Sequence, residues 1–78
     1  MNKIILVTNE DGDYEALYLN GNIIVQGSSV PRFELTDTMS KNQPYEYETH
    51  EVTADWIEDF GGNYPDSLLD IPQDAYTD

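Results

Sequence analysis

The side chains able to do chemistry in this chain are mostly carboxylates, and six of them gather in one stretch. From Tyr45 to Phe60 the sequence runs Tyr-Glu-Tyr-Glu-Thr-His-Glu-Val-Thr-Ala-Asp-Trp-Ile-Glu-Asp-Phe. Its acids are Glu46, Glu48, Glu51, Asp55, Glu58 and Asp59. Carboxylates so placed suit three kinds of chemistry: acid and base catalysis, cation binding, or imitation of nucleic-acid phosphates. A glycosidase-type pair must flank a substrate cleft, and a chain of 78 residues leaves little room for one. His50 is the only histidine, and no serine or threonine stands with it in a triad pattern.

Two further motifs fail on their spacing. Asn9-x-Asp11-x-Asp13-x-Glu15 begins like a calcium loop, which needs glycine at its sixth position and a bidentate glutamate at its twelfth. Tyr14 and Asn20 stand there instead. Asp59-Phe60-Gly61 spells the magnesium tripeptide of protein kinases, but the chain has no glycine-rich loop, no Val-Ala-Ile-Lys strand and no catalytic loop to accompany it. The sequence therefore leads us to expect no enzyme activity, no metal site and no cofactor.

The elements that hold the acidic stretch follow from its alternation. Side chains alternate along a strand, so Tyr45, Tyr47 and Thr49 point one way and Glu46, Glu48 and His50 the other. The aromatic side is the expected core side. Glu46 and Glu48 then face solvent, about 6.6 Å apart. Thr53 is the expected N-cap of a short helix. At about 100° per residue, Trp56, Ile57 and Phe60 share one face of that helix, with Asp55, Glu58 and Asp59 opposite. Asp55 complements the helix dipole, whereas Glu58 and Asp59 sit at its unfavourable end. Gly61-Gly62 closes the helix.

Upstream, Lys3 to Thr8 reads as a strand with a buried apolar run. Asn9 to Asp13 is a polar loop, and Tyr14 to Leu19 is a second strand. Asn20-Gly21 signals a two-residue type I′ turn into a third strand, Asn22 to Gln26. Residues 31–40 are expected as a short helix with Phe33 and Met39 inward, although Phe33 and Leu35 also fit an extended segment. That helix permits a crossover to a fourth strand parallel to the first, in sheet order 3-2-1-4. The expected fold class is α+β: a three-stranded antiparallel meander plus a fourth edge strand, with two short helices. Exposed glutamates on that edge strand would discourage unwanted pairing. Residues 1–71 are expected as a single acidic domain, with one helical turn in Ser67–Ile71 and a loose tail over 72–78.

Composition narrows the partner. Hydrophobic residues make up 38% of the chain and nine residues are aromatic, too apolar for full disorder. There is no cysteine, so packing alone must supply stability. The apolar run at the start, Ile4-Ile5-Leu6-Val7, is too short for a signal peptide or membrane span, which points to the cytoplasm. Sixteen acidic residues oppose three Lys and Arg, for a net charge of −13. No Lys or Arg follows Lys41. Such a field repels nucleic acid and anionic membranes and attracts basic surfaces, including those built to grip nucleic acid. A charge that serves only solubility is the plainer alternative.

In size, lack of cysteine, charge and exposed carboxylates, the chain resembles small acidic phage-encoded inhibitors of restriction and CRISPR enzymes that imitate DNA. The run from Ile5 to Tyr18 is also similar to the start of small phage and bacterial proteins. The first resemblance implies a partner with a basic nucleic-acid groove, no direct nucleic-acid binding and no membrane contact. Glu46, Glu48, Glu51, Asp55, Glu58 and Asp59 are the expected phosphate surrogates, read from their own spacing. The alternative is an interaction module for an unrelated target, anchored by aromatic residues such as Tyr45, Tyr47, Trp56, Phe60 and Tyr64.

Overall fold

The computed structural model describes residues 1–77. It is an α+β fold with a four-stranded mixed sheet and two helices. The strands are β1 (Asn2–Asn9), β2 (Glu15–Leu19), β3 (Asn22–Gly27) and β4 (Tyr45–Val52). The helices are α1 (Arg32–Lys41) and α2 (Ala54–Asp59), followed by two short 3-10 turns, Leu68–Asp70 and Gln73–Ala75. Strand order is β3-β2-β1-β4. The first three strands pair antiparallel, whereas β4 pairs parallel to β1. Asn20 and Gly21 both have positive φ, as a type I′ turn requires.

The unbroken apolar run in β1 reflects its central place, since a strand covered on both faces has no solvent side. Ile5 and Val7 join Ala16, Tyr18, Val52, Ile57, Tyr64, Ile71 and Ala75 in the main core. Ile4 and Leu17 are fully buried on the opposite face. Chain on either side of α1 is tied to that face. The N–H of Val30 donates to a Glu15 carboxylate oxygen at 2.8 Å, and Asn2 Nδ2 donates to the Asn42 carbonyl at 2.9 Å.

The helix over 31–40 forms as expected, shifted by one residue, but Phe33 does not face inward. It is 68% exposed, while Thr38 is buried and Leu35 and Met39 are half-buried. The physical reason is angular. Positions 35, 38 and 39 share a stripe at i, i+3 and i+4, whereas six residues of helix separate Phe33 from Met39 by about 120°.

A second correction concerns β4. Its parallel register sets Glu48 beside Ile5 and His50 beside Val7. The glutamate side of β4 thus shares the face of the main core, and Val52 is its one buried residue. Tyr47 lies on the other face and is 38% exposed. An edge strand does not need a core side along its whole length, and alternation alone could not assign the faces.

Of the segment expected to trail loosely, residues 72–77 are packed instead, and Asp78 lies outside the described residues. Ala75 is buried, Tyr76 bridges antiparallel to Val52, and Thr77 N–H donates to the Glu51 carbonyl at 2.8 Å. Pro72 and the 3-10 turn after it aim this segment at the free side of β4.

Candidate functional site

The six carboxylates singled out above occupy three places. Glu46 and Glu48 lie near the start of β4 on the main-core face. Glu51 has the opposite parity and lies on the α1 side, where its carboxylate accepts from Thr77 Oγ1 at 2.7 Å. Asp55, Glu58 and Asp59 are exposed on α2. One continuous array of six is therefore not what the fold makes, because a single-residue step along a strand reverses the side on which a carboxylate stands.

Glu48 is engaged within the fold. Lys3 Nζ lies 3.1 Å from one of its oxygens and His50 Nε2 lies 2.9 Å from the other. The Lys3 contact first, and then the His50 contact, hold its carboxyl below the usual glutamate range. His50 also meets the ring of Tyr76 edge-on, with centroids 5.6 Å apart. Sequence reasoning did not bring Lys3 into the site. The parallel order 3-2-1-4 contained that signal, because it aligns the start of β1 with the start of β4 and so sets Lys3 beside Glu46.

The end of the molecule that carries α2 is different. Thr53 caps the helix as expected, its hydroxyl accepting from Trp56 N–H at 3.2 Å. A Glu10 oxygen accepts from Ala54 N–H at 2.9 Å, and Glu10 N–H donates to the Val52 carbonyl. The β1–β2 loop is thereby pinned to the first residue of α2, bringing Asp11 and Asp13 to the same end as Asp55. Asn9 organises this loop from inside. Its buried side-chain carbonyl accepts from the N–H groups of Asp13 and Tyr14, and its amide donates to Asp13 at 2.7 Å. Among the described residues, no group of three or more His, Asp or Glu side chains converges as a metal ion would require.

Aromatic rings flank these acids. Trp56 stacks on Phe60 with centroids 5.4 Å apart and an interplanar angle of 23°. Trp56 is half-buried against the core, whereas Phe60 is 47% exposed. Tyr64 fixes the inner side of the helix, its hydroxyl donating to the Tyr14 carbonyl at 2.9 Å. Among the described residues, Lys3 and Lys41 form ion pairs with Glu48 and Asp37, and no ion pair reaches an acid of α2 or of the β1–β2 loop.

No protein-family model matches the chain, and neither a curated protein nor a solved structure matches it. No helix among the described residues is long and apolar enough to cross a membrane.

Proposed function

We propose that this protein is an acidic inhibitor that occupies the nucleic-acid-binding groove of a host or defence enzyme. The observation that carries the reading is the end of the molecule around α2. There Asp55, Glu58 and Asp59, with Glu10, Asp11 and Asp13 of the adjoining loop, lack cationic partners among the described residues. A basic groove could exchange its counterions for such carboxylates as it does for phosphates. Glu58 and Asp59 stand at the unfavourable end of the helix dipole, a placement that lowers stability and acquires a purpose if a cationic partner faces it. Trp56 and Phe60 would anchor the contact from within the charged rim. Glu46, Glu48 and Glu51 lie outside this surface, and the reading assigns no catalytic step to any residue.

The test is competition and salt dependence against a purified nucleic-acid-binding enzyme that the protein inhibits. Duplex DNA should displace the protein from that enzyme. Affinity should fall steeply between about 50 and 200 mM salt, as for partners that neutralise many phosphates. A variant carrying Asp55→Asn, Glu58→Gln and Asp59→Asn should bind at least about tenfold more weakly at low salt. Binding that ignores both salt and this variant refutes the reading.

The exposure of Phe60 supports a second reading, in which an unrelated target is gripped through the Trp56–Phe60 stack and the charge serves solubility. Phe60→Ala would then abolish binding while the charge variant left it intact.

A further inference from the structure

The outer edge of β4 is closed at one end and open at the other. Asn2 N–H donates to the Pro44 carbonyl and Glu10 N–H to the Val52 carbonyl, both at 3.0 Å. These bonds bracket the β1–β4 ladder and fix its parity. The even residues of β4 turn their backbone groups toward β1, and Tyr45, Tyr47, Thr49 and Glu51 turn theirs outward. Thr77 N–H takes the outward carbonyl of Glu51, and Thr53 N–H donates to Ala75. Among the described residues, no backbone hydrogen bond reaches the outward groups of Tyr45, Tyr47 or Thr49. Open edges of this kind are templates for an incoming strand.

We propose that this open half of β4 is a docking edge for an extended basic segment of a partner protein, added antiparallel along the line already begun by residues 75–77. Two observations define the occupant. The first is continuity, since Ala75 to Thr77 already runs antiparallel on the same edge and shows that the edge accepts a strand in this direction. The second is charge. β4 carries Glu46, Glu48 and Glu51 and no Lys or Arg. A second copy paired through this edge would set acids against acids, which cross-strand pairing penalises.

The register specifies the side chains. Partner residues opposite Tyr45, Tyr47 and Thr49 form the hydrogen-bonded pairs, point to the tyrosine face and favour apolar or aromatic groups. Residues opposite Glu46 and Glu48 point to the glutamate face and favour lysine or arginine through Glu46, since Glu48 already pairs with Lys3 and His50. Main-chain bonds would supply affinity and the alternating side chains selectivity. This edge is separate from the α2 surface and does not rest on the function proposed for it.

The experiment uses the full chain and an eight-residue peptide of alternating lysine and valine with blocked ends. In the proposed register the valine N–H groups face β4 and the lysine N–H groups face away. N-methylation of the valines should weaken binding at least about tenfold, and N-methylation of the lysines should leave it unchanged. Both modified peptides keep the charge of the parent, and the protein is unaltered, so misfolding cannot imitate the result. Amide exchange at Tyr47 and Thr49 should slow on binding the parent peptide. On the protein side, Thr49→Pro removes an outward N–H at a position where edge strands tolerate proline, and it should abolish the complex. Equal weakening by both methylation patterns, no binding of the parent peptide, or a dimer of the chain formed through this edge would each overturn the proposal.

Discussion

Replacing Tyr18 by phenylalanine tests whether one hydroxyl fastens the C-terminal third of the chain to the sheet. Tyr18 is 0% exposed, and its hydroxyl donates to the Pro65 carbonyl at 2.6 Å across 47 residues of chain. Pro65 is itself buried, which disfavours replacement of the lost donor by water. Ring packing is retained in Tyr18→Phe. The cost is then the desolvation of an unpaired carbonyl together with the lost bond, about 1–3 kcal/mol. For a domain of this size that corresponds to a fall in melting temperature of roughly 4–24 °C. Urea unfolding should show a lower midpoint at constant m, the signature of lost stability without a change in the surface exposed. Tyr47→Phe is the control. Its hydroxyl has no hydrogen-bond partner among the described residues, and the change should fall within about 0.5 kcal/mol. A Tyr18→Phe midpoint indistinguishable from that of the control would refute the claim that the Pro65 contact fastens this segment.

Burial pushes the phenols of Tyr18 and Tyr64 above their ordinary value of 10.0, with neighbouring groups adding to the effect, Tyr76, Tyr64, Asp66 and Asp70 for Tyr18 and Glu15 and Asp13 for Tyr64. Above pH 10 the unfolded chain releases phenolic protons that the folded chain retains, so the phenols' contribution to stability should be flat below that pH and fall as pH rises. Denaturant midpoints between pH 8 and 11 should show the decline, reduced in Tyr18→Phe. Lys3→Ala removes the first cause of the lowered Glu48 carboxyl, whose titration should move up toward the usual glutamate range when followed by NMR. Gly61 has φ +83 and open space around it, so Gly61→Ala should cost about 1–2 kcal/mol through backbone strain alone, measured as a urea midpoint.

The fold was legible from local chemistry wherever a residue had one structural answer. Asn20-Gly21 dictated the type I′ turn, Thr53 the cap of α2, and Gly61-Gly62 its end. The apolar run of β1 marked a strand needing cover on both faces. The chain length between β3 and β4, spanned by a helix, permitted the parallel order that the sheet adopts. Composition alone set the charge of −13 and hence the kind of surface that is attracted or repelled.

Which carboxylates stand together was decided only by tertiary structure. Alternation divides β4 into two sides but does not say which side meets the core, because that depends on the register against β1. The register placed Glu48 between Lys3 and His50, sent Glu51 to the opposite face, and brought Glu10 to the N–H of Ala54 from 44 residues away. It also left Tyr45, Tyr47 and Thr49 on an edge that is open among the described residues, where 75–77 only begin to cover it. Spacing along the chain fixes what a local segment can do. Distances between segments depend on strand pairing and packing, and no local preference encodes them.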